Sequence, residues 1–303
     1  MNTLISVVTL THNKAAYTKK CLRSLLQSSY APWELIVVDN GSTDDTLGWL
    51  QNFKIEAKAS GVCLKIIENA ENVGCSTGRN QGLSVAEGTF VVFMDNDVAL
   101  RTKDWIEGLL SCLKENRRNA MAGPKLIYPF SPYAIQCAGV GISPSGRVQF
   151  MGRGEARTDS RFNKQKEVQC LISACFMTRR SAIESVGGFD EAFNPVEYED
   201  FDLCYRIRQN GGVVTYVPSV EMYHFESVTT TGTPTLPNTY LIIKHGMLFK
   251  KRWRYMFENE NGPSDSETTW KFFEAHSLNE ASTLPITENK KHNNNSIKEI
   301  PND

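Results

Sequence analysis

Four short apolar runs rich in Val and Ile occupy residues 5–10, 34–38, 62–67 and 90–94, and helical patterns separate the first two and the last two. Short buried runs that alternate with amphipathic helices predict a parallel α/β sheet. In the first helix Tyr17, Cys21, Leu22, Leu25 and Leu26 recur at helical spacing, with Lys19, Lys20 and Arg23 on other faces. The second helix is predicted to start at Ser42, with Asp45 closing a capping box.

With 303 residues, 41% of them hydrophobic, the chain can bury a large core in one or two domains. Beyond residue 100 the pattern turns mixed. A helix is predicted over 103–115, glycine-rich short strands over 121–154 and an apolar run over 168–177, so this half reads as α+β. From 261 to 303 the sequence is polar, with Asn293, Asn294 and Asn295 in a row, and disorder is predicted there. The eight cysteines form no CxxC pair and mostly sit among apolar neighbours, which reads as buried reduced thiols of a cytosolic protein. The N-terminus MNTLISVVTLTHN reads as a strand rather than a signal peptide. A net charge of -1, from 33 basic and 34 acidic side chains, argues against nucleic acid as a partner.

Ligands of open parallel sheets gather at the carboxyl ends of the strands. Here three strands are predicted to end in Thr11-His12-Asn13, Asp39-Asn40-Gly41-Ser42 and Asp95-Asn96-Asp97. In extended backbone, residues two apart point to the same side, so Asp95 and Asp97 could face one ion. Carboxylate ligands suit Mg2+ or Mn2+, which complete their shells with water and phosphate oxygens. A DxD string alone is equally a solvated turn.

Three other stretches bear on that choice. Asp39 and Asn40 could hydrogen-bond a nucleobase or ribose. In ENVGCSTGRNQG, Asn72, Gly74 and Gly78 lie in a loop where backbone can approach a ligand, and Arg79 and Asn80 supply donors that could meet phosphate. In EDFDLCYRIRQ, Asp200 heads a stripe continued by Leu203, Cys204 and Ile207, so its carboxylate is either a cap or lines a cavity. Asp202 and Arg206 are spaced as a structural pair.

Taken in order, SVVTLTHN, VVDNGSTDDT, NVGCSTGRNQG followed by FMDND, and GGFDEAF with EDFDLCYR resemble the family 2 glycosyltransferases of the GT-A fold, over about residues 4 to 225, with rhamnosyltransferase-like members the most similar in character. The resemblance implies a catalytic domain over 1–225, with a nucleotide-binding half (1–100) and an acceptor half (101–225). It implies that Asp39 and Asn40 help hold the nucleoside, although many members carry a second acid where this chain has Asn40; Thr11 and Asn13 at the first strand end are further candidates for substrate binding. It further implies that Asp95 and Asp97 serve a divalent metal and the diphosphate, that His224 completes the metal shell, and that Asp200 of the Glu199-Asp200 pair is the base of an inverting transfer from a nucleotide-diphospho-sugar.

Residues 138–154 and 173–180 are candidates for an acceptor groove, for a saccharide or lipid-linked saccharide, and Asp190 could reach donor-sugar hydroxyls. The extension over 226–260 contains a basic amphipathic helix. In it Ile242, Gly246, Phe249, Trp253 and Met256 form a stripe that would either dock on the domain or lie on an anionic membrane. A sugar nucleotidyltransferase would place a glycine-rich basic loop after the first strand, where Thr11-His12-Asn13-Lys14 stands instead, and no GxGxxG follows that strand for a dehydrogenase. A noncatalytic sugar-nucleotide-binding protein remains the alternative from another class.

Overall fold

The structure is a computed structural model that describes residues 2–226, 238–271, 273, 278 and 284–288. Its first part is β1 (Ile5–Thr11), α1 (Ala15–Leu25), β2 (Trp33–Asp39), α2 (Thr46–Ala59), β3 (Cys63–Glu68), α3 (Cys75–Val85) and β4 (Phe90–Asp95). The second part runs β5 (Val98–Leu100), α4 (Trp105–Glu115), β6 (Asn119–Ile127), β7 (Ile135–Cys137), β8 (Val140–Ile142), β9 (Val148–Phe150), β10 (Lys166–Glu167), β11 (Cys175–Arg179), α5 (Arg180–Ser185), α6 (Glu199–Gln209), β12 (Val213–His224) and α7 (Asn238–Phe257).

One large sheet spans both parts in the order β10-β12-β6-β11-β4-β1-β2-β3, with β5 beside β12 and β7 beside β6. The strands β3, β2, β1 and β4 are parallel, while β11 runs antiparallel between β4 and β6. The chain leaves β1 toward β2 on one side and later returns to β4 on the other. The β1/β4 border is therefore the topological switch point, outside which a parallel sheet leaves a crevice.

Four sequence-based boundaries shift. The second helix begins at Thr46, not Ser42, because the Asp44 carboxylate accepts from the Thr46 and Ala15 amides and holds the intervening residues in a turn. Of the apolar run 168–177 only the end is strand, since Ser173 leaves the sheet to meet Asp200. The strand expected over 213–217 continues to His224 across an irregularity between Val217 and Glu221, where Pro218 offers no amide proton. In the region from 261, expected to be disordered, Trp270 stacks on Arg153 and Thr287 bridges to Thr102. Residues 289–303, including the three asparagines, lie outside the described residues.

Helix α3 lies unusually close to the parallel strands, because a Cβ on Gly82 would fall 2.3 Å from Val8 Cγ1 and one on Gly78 2.9 Å from Leu10 Cδ2. The substitution Gly82→Ala should therefore lower the urea midpoint despite its better helix propensity. Overpacking costs about 1–3 kcal/mol against a gain of about 1 kcal/mol. All eight cysteines are free thiols, six of them buried.

Helix α7 docks on the domain, with Phe249, Trp253 and Phe257 inside the main core. The docked face is rotated from the expected stripe: Leu241 and His245 are buried, while Ile242 is exposed.

Candidate active site

Parallel register sets the first part of the site. Thr11 pairs with Asp39 and Leu10 with Asp95, so the two acidic strand ends flank β1 on either side. Asp95 and Asp97 do not alternate along one extended strand as expected. The backbone turns at Asn96 and Asp97 before entering β5, and Asn96 anchors that turn by donating to the Thr11 and Thr18 hydroxyls at 3.3 and 2.9 Å. β5 then pairs with the end of β12, which puts His224 opposite Val98 and so next to Asp97, far away in sequence.

The ligand atoms of Asp95, Asp97 and His224 all lie within 4.8 Å of one another, and His224 Nε2 is 3.3 Å from Asp97 Oδ1. Two ligands about 2.1 Å from an octahedral cation stand roughly 3 Å apart when adjacent. Two carboxylates and an imidazole thus fit a divalent cation in both spacing and donor chemistry. Burial opposes a protonated His224, but Asp97 and Asp95 outweigh it and raise its pKa overall. The cluster attracts positive charge. Burial, opposed by Arg79 and reinforced by Asp97, raises Asp95 as well.

The second acidic pair arrives from α6. Asp200 Oδ2 accepts from the Ser173 amide at 2.9 Å and Oδ1 from the Phe201 amide at 2.8 Å. The next residue, Ala174, accepts from the Asp95 amide at 3.0 Å, so one dipeptide ties Asp200 to the end of β4. Burial, with the neighbouring Glu199 charge, pushes the Asp200 carboxyl up to about 8, against the pull of those amides and Arg79. Such a carboxylate is a stronger base than one in water. Glu199 has a different setting: its Oε1 accepts from Arg79 at 2.7 Å, and its buried Oε2 has no partner.

Arg79 does not await phosphate. It is 3% exposed, lies over the Phe189 ring, and bridges Glu199 and Asp95, the latter at 2.9 Å. Asn80 likewise uses both ends of its amide on the Phe189 backbone. The backbone at Gly74, expected to let a ligand approach, is closed from within: Cys75 and Ser76 donate to Pro195 O and Asn194 Oδ1, and Asn194 fills the space over Gly74, where a Cβ would fall 2.4 Å from its Oδ1.

At the end of β2, Asp39 Oδ2 accepts from the Ser42 amide while the buried Oδ1 has no partner, which leaves an acceptor for a ligand N–H or hydroxyl. Other expected contacts serve one another instead. Asn40 is held by Asn69, Asn72 and Gly74; Asn72 also takes the Gly74 amide; Asn13 takes the amides of Thr43 and Asp44; Thr11 holds Asn96. These side chains shape the crevice. Asp190 accepts from the Ala192 amide and pairs with Arg252 of α7 at 2.6 Å, so both of its oxygens have partners within the chain. Of the two proposed acceptor segments, 138–154 contains the β8–β9 pair, while in 173–180 Cys175–Arg179 is an interior strand of the sheet and Ser173 and Ala174 lie beside Asp200 and Asp95.

Two contributions escaped the sequence reading. Helix α7 braces the approach to α6, where Glu197 and Tyr198 take positive φ of 85° and 70°. His245 Nδ1 binds Val196 O at 2.8 Å, and Trp253 Nε1 donates to Asp202 at 2.9 Å. Gln136 meets His224 Nδ1 at 2.8 Å. Its signal was a lone amide between apolar residues in a buried three-residue strand.

Comparison with known proteins extends this geometry. The chain is 26% identical over 253 residues to an N-acetylglucosaminyl-diphospho-decaprenol L-rhamnosyltransferase of Mycobacterium tuberculosis, covering 77% of this chain and 80% of that protein. It is 36% identical over 113 residues to a Bacillus subtilis protein named for teichuronic acid biosynthesis, covering 37% of this chain and 42% of the other. It spans only 28% of a matching Sinorhizobium fredii protein. Among solved structures, the mannosyltransferase PcManGT of Pyrobaculum calidifontis, in complex with GDP-Man and Mn2+, superposes with a TM-score of 0.58 at 19% identity, over 86% of this chain and 65% of that one. The fold is of the GT-A type. The model of "Glycosyl transferase family 2" matches residues 6–187, from the first strand past the acidic strand end, and by that match the chain belongs to glycosyl transferase family 2.

Proposed function

We propose that this chain is an inverting glycosyltransferase that moves a sugar from a nucleotide-diphospho-sugar to an acceptor hydroxyl, with Mg2+ or Mn2+ as cofactor. The observation that carries the reading is the meeting of Asp95, Asp97 and His224 at one strand end, with Asp200 joined to it through Ser173 and Ala174. Asp39 Oδ1 receives the nucleoside. Asp200 takes the proton from the acceptor hydroxyl as that oxygen bonds to the anomeric carbon, the bond from that carbon to the phosphate oxygen breaks, and the nucleoside diphosphate leaves from the opposite face. Asp95, Asp97 and His224 would hold the cation, whose positive charge would stabilise the departing diphosphate. One displacement inverts the configuration.

A thermal-shift screen of nucleoside diphosphates and nucleotide sugars, with Mn2+ and with EDTA, tests this. At least one nucleotide should raise the melting temperature only when the cation is present. Stabilisation equal in EDTA would sink the metal role. Product release from a nucleotide sugar separates an enzyme from a noncatalytic binder.

For the acceptor, the proposal is a saccharide or lipid-linked saccharide in surface polysaccharide or glycoconjugate synthesis, used by a cytoplasmic protein at the inner face of a membrane. The relatives' names support it. So does α7, whose outward face combines Tyr240, Ile243 and Met247 with Lys244, Lys251 and Arg254, all exposed. Apolar and basic side chains on one face suit an anionic bilayer. No helix among the described residues is long and apolar enough to cross a membrane. Deleting α7 would strip Phe249, Trp253 and Phe257 from the core, so point changes are the proper test. The double variant Ile243→Asp, Met247→Asp should lose co-sedimentation with phosphatidylglycerol vesicles while keeping its melting temperature. Undiminished co-sedimentation would remove the membrane from the proposal.

A further inference from the structure

We infer that Gln136 is a positioning residue that holds the His224 ring so that its Nε2 can ligate a divalent cation. The inference rests on reading Asp95, Asp97 and His224 as a metal cluster.

Gln136 is fully buried in β7, between Ile135 and Cys137, which are buried too. Strand order brings it to the histidine: β6 lies between β7 and β12, with Ile127 paired to Ile135 on one side and to Tyr223 on the other. Across that strand Gln136 Oε1 lies 2.8 Å from His224 Nδ1. An amide oxygen can only accept, so Nδ1 carries the proton. The lone pair needed for a cation then falls on Nε2, which is 3.3 Å from Asp97 Oδ1. With the opposite tautomer Nε2 would present a proton to the cluster and could not ligate.

The other end of the amide supports a positioning role. Gln136 Nε2 is buried with no hydrogen-bond partner. A buried donor without a partner works against folding, and an apolar side chain of similar size would avoid that penalty. Packing alone therefore does not account for glutamine in this strand, whereas its oxygen on His224 does.

The test uses the full chain, with Mn2+ affinity measured by titration calorimetry and by the free-ion electron paramagnetic resonance signal. Gln136→Leu should weaken Mn2+ binding about 10–100-fold, the usual effect of removing an outer-shell partner. Its melting temperature in EDTA should stay near that of the wild type, because the orphaned Gln136 donor is gone while the His224 Nδ1–H loses its acceptor. Gln136→Glu, which keeps an acceptor toward Nδ1, should restore affinity to at least the wild-type value. If Gln136→Leu binds Mn2+ as tightly as the wild type, the inference falls while the metal reading stands. If it melts lower in EDTA and Gln136→Glu fails to restore binding, Gln136 only packs, and the inference falls. A wild type that binds no Mn2+ would overturn the metal reading and this inference with it.

Discussion

Asp200→Asn should lower the transfer rate at saturating substrates by about 10²–10⁴-fold, the contribution of a positioned general base. Its affinity for nucleoside diphosphate should stay nearly unchanged, since no part of Asp39 or the metal cluster is touched. Burial and Glu199 raise the Asp200 carboxyl to about 8. The active form is the deprotonated one, so the wild-type rate should climb with pH through the neutral range and level off above it. That limb should vanish in the variant. Because both Asp200 oxygens accept backbone amides, the asparagine amide turns a donor toward one of them, and circular dichroism should accompany the kinetics. Near-wild-type transfer with donor still bound would clear Asp200 of the role. Glu199 would be next, although one of its oxygens is already held by Arg79.

Arg79→Met should be the most destabilising single change at the site, by about 3–5 kcal/mol in urea unfolding, because it leaves a buried carboxylate without its partner. Arg79 and Glu199 are each only 4% exposed at the side chain, so water cannot take the place of the lost bond. The same substitution should enlarge the stabilisation gained from Mn2+, since Asp95 would face the cation without a competing guanidinium. A small loss of stability, with the Mn2+ shift unchanged, would mean that Arg79 is not the tie between the two acidic pairs.

Much of the architecture could be read from local pattern. The runs at 5–10, 34–38, 62–67 and 90–94 all became strands, because short apolar runs between helices have few other solutions. The acidic ends of β2 and β4 followed from the same periodicity. What local pattern could not reveal was which polar groups would find partners. Arg79 and Asn80 read as phosphate donors until Glu199, Asp95 and the Phe189 backbone came to face them. Nor could local pattern reveal that Asp190 would meet Arg252 from α7.

By itself the sequence determined the strand-helix alternation, the strand ends where acidic side chains would stand, and the family membership that their order carries. The resemblance already grouped His224 with Asp97; tertiary structure alone decided which strands bring them together, that Gln136 meets the His224 ring, and that α7 braces the approach to Asp200. Periodicity is a property of neighbours along the chain. Whether a buried donor or carboxylate is free for a ligand depends on partners from distant segments, and these are chosen only when the sheet closes.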